Sequence, residues 1–459
     1  MENDTVTNYS YKSEQFREYA ERNARQEVYM PPYLLSDYER RTYIRKTIIE
    51  DHLHRISSNP AGTEKKFKKI YKSVFYFFRG TAMLYYRDYA GTDMEFPIVF
   101  TNGDIHPENF GIMPNKDGVP FFGVNDFDEV CFAPFTYDVR RGAIGFNIGA
   151  LINGFKKRKR KKIVKKFVTG YLNGLKKFAL NDQEKTLEYR HHNSPPVVCD
   201  ILDNVDSRAK FLKKLIDLKK EKFIPSKKVV PYSRLTGKFQ KIIDKYRKDS
   251  DIERGKNERG FFKVKDVAIK KGSGTASLGL DRYYVLLNGS SDDPLDNIVL
   301  EIKQARRSAV YSVIPKEVQS DNDNQADQIM KAHSVHLASG DPFYGKAVVD
   351  KQDFLVRERS PFKNEVDLED LDYQEFKEYA DICGQVLALT HSRSDQDSGM
   401  EVENMEETIL SSISETIFIQ DMIDFSLTAT KRIKRDHQLF CEDYDKGAYI
   451  LDELQKQEC

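Results

Sequence analysis

The chain has 459 residues, 39% of them hydrophobic and 32% charged, with a net charge of +1. That length allows two or three lobes around a sizeable core, and the near-neutral balance gives no general argument for a nucleic-acid or membrane partner. No run approaches the roughly 18 apolar residues of a membrane helix, and the polar, acidic start Met1-Glu-Asn-Asp4 does not read as a secretory signal. Five cysteines (Cys131, Cys199, Cys383, Cys441, Cys459) are scattered without the close spacing of a zinc or redox motif, so reduced thiols and a cytoplasmic location are expected.

Residues 1–66 are charged and helix-prone and read as an N-terminal helical extension. A helical pattern from Phe75 to Tyr89 is interrupted near Arg79-Gly80. The short apolar strand Pro97-Ile-Val-Phe100 then runs into TNGDIHPENFGI. Next comes a hairpin: Gly111-Ile-Met, a turn at Asn115-Lys-Asp-Gly118, and Pro120-Phe-Phe-Gly-Val124. From about 138 to 225 the pattern is mostly helical. It includes the basic run KKRKRKKIVKK at 156–166, followed by amphipathic sequence with Tyr171, Leu172, Leu175 and Phe178. The run reads first as the solvated face of a long helix. An anionic partner there, such as nucleic acid, inositol phosphate or a membrane surface, is the sharper alternative.

The texture changes near 260. Phe261 to Ile269 alternates as a strand does, a glycine loop follows, and then come Tyr283-Tyr-Val-Leu-Leu287 and Ile298-Val-Leu-Glu-Ile-Lys303. Residues 324–338 read as helix, Asp353–Glu358 as strand, 370–393 and 405–457 as helix, and the acidic stretch 394–406 as an exposed loop. The layout expected is a first part of a helical lobe at 67–235, a β-rich nucleotide lobe at 236–365, and completion of the helical lobe at 366–459.

The chemistry concentrates in Asp104-Ile-His-Pro-Glu-Asn109. An aspartate and an asparagine five residues apart after a short strand match the catalytic loop of kinase-like enzymes. There the Asp orients or accepts the proton of the attacking hydroxyl and the Asn reaches a magnesium ion. A second carboxylate should follow the next hairpin. Val124-Asn-Asp126-Phe-Asp128 lies there, with Asp126 as metal ligand and Asp128 as a possible second one, since magnesium takes few, hard oxygen ligands. Gly272, Gly274 and Gly279 form a loop between strands that suits close backbone approach to phosphates. Lys303 ends the run IVLEIK. Alternation puts Ile298, Leu300 and Ile302 on one face and Val299, Glu301 and Lys303 on the other, so the lysine should face a cleft.

Taken together, Phe-Phe-Arg79-Gly80-Thr-Ala, NGDIHPENFG (102–111), NDFDE (125–129), PFTYDVRRGA (134–143), GTASLG with DRYYVLL (274–287), LEIKQA (300–305), DPF (341–343) and LALTHSRS (387–394) resemble the bacterial domain of unknown function 2252 family. The resemblance covers roughly residues 65–395. It implies a protein-kinase-like fold near the aminoglycoside phosphotransferases, with no substrate attached. It supports Asp104 as base, Asn109 and Asp126 as metal ligands and Lys303 as phosphate ligand. It further implies a bracing role for His106 and an anchoring role for Asp138 on the following helix. Tyr137 stands where the family usually has tryptophan.

Two departures from kinases stand out. Helix 324–338 offers Asp327 rather than a glutamate to pair the lysine, with Glu317 just before it as a substitute. Glu301 occupies a position kinases keep small and is itself a candidate partner for Lys303. The order also departs, because the glycine loop and lysine follow the catalytic loop by about 170 residues. An α+β, two-lobed, circularly permuted kinase-like fold is therefore expected, with a small antiparallel nucleotide lobe and a large helical one. The expected function is ATP- and magnesium-dependent phosphotransfer to a hydroxyl of a small molecule or protein. Nucleotidyl (AMP) transfer and a nucleotide-binding pseudokinase are the alternatives.

Overall fold

The computed structural model describes residues 12–28, 30–250, 260–271, 280–318, 325–359, 361–362, 364 and 366–449. The loop of Gly272, Gly274 and Gly279 lies outside the described residues, as does Cys459. The fold mixes α-helices with antiparallel sheets.

The charged start folds as helices α1 (Ser13–Ala24), α2 (Asp37–Ser58) and α3 (Pro60–Lys72). A capping box sets the start of α2: the Ser36 hydroxyl accepts from the Glu39 amide, and the Glu39 carboxylate accepts from the Ser36 amide. Asn59 caps α3, with Pro60 at its first position. Helices α4 (Val74–Gly80) and α5 (Ala82–Asp88) are separated at Thr81, where the sequence shows its interruption.

Strands β1 (Ile98–Thr101), β2 (Phe110–Pro114), β3 (Pro120–Val124) and β4 (Cys131–Pro134) follow. β1 pairs antiparallel with β4, and β2 with β3. The β2–β3 turn is the expected one: Asn115 Oδ1 accepts from Asp117 N at 3.0 Å and Val119 N at 2.9 Å. Helices α6 (Thr136–Ile152), α7 (Lys157–Phe178), α8 (Pro196–Asp203) and α9 (Arg208–Leu215) come next. The short strands β5 (Ile216–Asp217), β6 (Lys222–Phe223) and β7 (Val229–Pro231) precede α10 (Thr236–Asp249).

β7 joins β8 (Val264–Lys270), β9 (Arg282–Leu287), β10 (Ile298–Gln304), β11 (Gly345–Val349) and β12 (Gln352–Glu358) in one antiparallel sheet of order β11-β12-β10-β9-β8-β7. Leu300 and Ile302 pack with Val267 and Val285 against Phe239, Ile243 and Tyr246 of α10. Val299, Leu286 and Ala268 pack on the opposite side with Leu212, Ile216 and Phe223. The strand alternation read from the sequence therefore holds. The sheet unit also takes in residues from about 208, ahead of the 236 boundary expected.

The large core is helical, built on α6, α7, α11 (Gln325–His336), α12 (Tyr373–Ser392), α13 (Met405–Ser411) and α14 (Glu415–Asp445). Helices α7 and α12 meet at glycines. A Cβ on Gly170 would lie 2.2 Å from Asp381 O, and one on Gly384 would lie 2.1 Å from Phe167 O. The apolar face of α7 (Ile163, Val164, Phe167, Val168, Tyr171) is buried in this core, so the basic run 156–166 is the polar side of an amphipathic helix. Arg40 of α2 ties both ends of the chain to the body, with nitrogens 2.6 and 2.7 Å from the Asp88 carboxylate and 3.0 and 2.7 Å from that of Asp436 on α14. No described helix is long and apolar enough to cross a membrane.

Candidate active site

β1 delivers the chain into the loop carrying Asp104, and α6 holds that loop from behind. Asp138, in the first turn of α6, accepts from the amides of Asn102 at 2.6 Å and Gly103 at 2.9 Å. His391 Nε2 lies 3.2 Å from the same carboxylate, and Tyr171 OH lies 2.8 Å from His391 Nδ1. Gly103 has φ +77°, and a Cβ there would sit 1.8 Å from Glu129 O, so the turn admits only glycine.

The Asp104 carboxylate accepts from Arg141 Nε at 2.7 Å, and His106 Nε2 lies 3.7 Å from its other oxygen. His106 is buried between two donors, Arg79 Nε at 3.1 Å and the Glu108 amide at 3.2 Å. Burial, then the charges of Arg79 and Arg141, push its pKa well below the ordinary histidine value. Asn109 donates its amide to Asp104 O at 2.6 Å, which leaves Oδ1 as the atom able to ligate a metal.

The hairpin returns the chain to this loop, with Asn125 N donating to Asn109 O at 3.1 Å. Asp126 and Asp128 follow as two half-buried neighbours, the Asp128 amide 3.4 Å from Asp126 Oδ1. Burial and then the Asp128 charge raise the Asp126 pKa. Burial also acts upward on Asp128, but Lys303 and then Arg306 outweigh it and bring its pKa below the usual range. The Lys303 ammonium of β10 donates to Asp128 Oδ2. Just beyond β10, Arg306 pairs with Glu129, Ala309 N donates to Glu129 Oε2 at 2.6 Å, and Ser308 Oγ donates to Glu129 O at 2.8 Å. The sheet unit is thus fastened directly over the 126–129 turn. Asp126 and Asn109 present hard oxygen donors of the kind magnesium takes, while Asp128 is engaged by the lysine.

Two expected partners of Lys303 prove to be engaged elsewhere. Glu301 is buried and paired with Arg282 at 3.1 Å and Arg357 at 2.7 Å, because Arg357 sits directly opposite it on β12. Those cations hold it ionised, its pKa below the usual range despite burial. Its carboxylate is matched by two arginines rather than by Lys303. Asp327 pairs with Lys346 at 2.5 Å, and Glu317 is exposed.

A family model described as an uncharacterized protein conserved in bacteria, domain of unknown function 2252, matches residues 58–443. The chain belongs to this family. No curated protein and no solved structure matches it.

Several residues around the Asp104 loop and the 126–129 turn were not singled out from the sequence. Arg141 and Arg79 lie inside motifs that carry the resemblance, yet no spacing rule links either to Asp104 or His106. Arg55 stands ahead of the family match. Its buried guanidinium has two nitrogens without a hydrogen-bond partner, and burial, then Arg306, brings its pKa down to about 10. Lys66 is buried beside it, its pKa well below the ordinary lysine value through burial and the Arg55 charge. A lone basic residue on a charged helix gives no sequence signal for such a cluster.

Proposed function

We propose that this member of the family is an ATP- and magnesium-dependent phosphotransferase with a circularly permuted, kinase-like arrangement. The observation that carries the reading is the ion pair of Lys303 with Asp128. It sets a strand lysine against the acidic turn that follows a hairpin, with Asp104 and Asn109 on the adjoining loop. In kinase-like sites a strand lysine holds the nucleotide's phosphates while an aspartate and an asparagine hold the metal.

Asp126 and Asn109 are the residues that would hold magnesium, which when bound neutralises charge on the phosphates. Lys303 then exchanges Asp128 for phosphate oxygens. Arg141 holds the Asp104 carboxylate in place. The part of Asp104 is to orient the acceptor hydroxyl and take its proton as the new O–P bond forms and the bond from the γ-phosphorus to the bridging oxygen breaks, releasing ADP. The acceptor is a hydroxyl of a small molecule or a protein.

A second reading, a nucleotide-binding module without chemistry, is favoured by one observation: among the described residues Lys303 is paired by Asp128 and not by a helix glutamate. Full-length protein incubated with magnesium and ATP labelled at the γ- or α-phosphate separates the readings. Transfer of γ-label to an acceptor is expected. Transfer of α-label would assign AMP transfer, binding without transfer would assign the module, and no magnesium–ATP binding in calorimetry would sink all three.

A further inference from the structure

The stretch 394–406 is exposed along its middle, at Gln396, Asp397, Gly399, Glu401 and Glu403, but buried at both ends. Asp395 and Glu406, at the junction of α12 and α13, are 3% and 4% exposed. Asp395 accepts from the Asp397 amide at 3.1 Å and opens a short turn over Gln396–Ser398. Gln396 N then donates to Val402 O at 2.8 Å and closes the loop.

Glu184, from the turn Gln183–Lys185, comes alongside and is also buried, 3% exposed. Glu184, Asp395 and Asp397 each offer a carboxylate oxygen, all within 4.8 Å of one another. Glu406 stands near enough that, after burial, the charges of Glu184 and Asp395 raise its pKa. Glu184 Oε2 and Glu406 Oε2 are buried without a hydrogen-bond partner. The neighbouring cations do not supply one. Lys185 is at the surface with Asp182 at 3.2 Å and Asp397 at 3.0 Å, and Arg393 gives its nitrogens to the carbonyls of Val335, Glu184 and Lys185. Three converging carboxylates, Glu184 and Asp395 buried and Asp397 at the surface, with a buried Glu184 oxygen that no donor reaches, make a coordination set for a hard cation.

We propose that Glu184, Asp395 and Asp397 form a calcium site that shares no residue with the Lys303–Asp128 site and does not depend on the phosphotransferase reading. The loop positions favour calcium. Two of the ligands, Asp395 and Asp397, fall at the first and third positions of a loop between two helices and the buried Glu406 stands at the twelfth, positions that helix–loop–helix calcium sites also use. The likeness stops at the ligands, since Gly399 is fifth rather than sixth and Glu184 enters from a separate segment. Bound calcium ties the 183–185 turn to the end of α12, the helix whose His391 backs Asp138.

The test uses full-length protein stripped of metal by chelation and titrated by calorimetry with calcium chloride, and separately with magnesium chloride, while the thermal midpoint is followed. One calcium per chain, a raised midpoint and at least about tenfold weaker magnesium binding are expected. Glu184→Gln and Asp397→Asn should each weaken calcium by about tenfold or more, and Asp126→Ala should leave it in place. Without metal, Glu184→Gln should melt no lower than wild type, because it removes one of several like charges, so its lost response is not a folding defect. No heat and no midpoint shift in wild type would overturn the site. So would magnesium binding as tightly as calcium, an unchanged response in both variants, or a response lost in Asp126→Ala.

Discussion

The Lys303 ammonium donates to the Asp128 carboxylate across 175 residues of sequence, from the central region of one sheet to the turn after a distant hairpin. Lys303 is 7% exposed, so this contact forms at the buried seam between the sheet unit and the helical body. Four predictions follow from the seam and its surroundings.

Asp126→Ala should abolish magnesium-dependent nucleotide binding while the fold survives. Asp126 is the acidic neighbour that Lys303 does not occupy, and its half-buried position makes substitution tolerable. Calorimetry of magnesium–ATP binding alongside far-ultraviolet circular dichroism reads both halves. Unchanged affinity would remove Asp126 from the site.

Asp104→Asn should leave ATP binding nearly intact and slow transfer by about 10²–10⁴-fold, the usual worth of a positioned base. The substitution keeps the side-chain shape and one oxygen toward Arg141, so the loop should hold. Equal transfer rates in wild type and variant would show that Asp104 is not the group acting on the acceptor.

Arg40→Met should destabilise the protein by about 3 kcal/mol, because it removes the cation hydrogen-bonded to both Asp88 and Asp436 and leaves these buried carboxylates only the longer contacts of Arg432, at 3.5 and 3.7 Å. Equilibrium denaturation in urea measures this. A loss under about 1 kcal/mol would mean that Arg40 is not what joins α2 to α14.

Acid should destabilise the chain through histidines held neutral. Burial first of all lowers His333 to about 3 and His336 to about 4, and it takes His52 well below its ordinary 6.5. A depressed folded-state pKa means full stability above about pH 6.5 and progressive loss as pH falls, since the unfolded chain then binds protons that the folded one refuses. Each such histidine adds a slope of about 1.4 kcal/mol per pH unit. Urea midpoints between pH 7 and pH 5 should show this fall, and His333→Gln should reduce it. An undiminished slope in that variant would exclude His333 as a contributor.

Much of the local structure was legible before any coordinates. The hairpin over 110–124 follows from its Asn-Lys-Asp-Gly turn, and the two faces of β10 follow from the period of two that every strand obeys. The Asp104–Asn109 loop was legible because its residues lie close in sequence, and the break between α4 and α5 shows at Arg79-Gly80. What tertiary structure alone decided is which charge meets which. Glu301 looks like a partner for Lys303 along the strand, yet strand register places Arg357 opposite Glu301, and docking of the sheet unit brings Asp128 to Lys303. Likewise, 394–406 reads as solvated acid until α12, α13 and the 183–185 turn close around Asp395 and Glu406. Periodicity and turn chemistry act over a few residues, so a sequence displays them directly. Ion pairing and burial depend on packing between segments far apart in the chain, and only the assembled core fixes that.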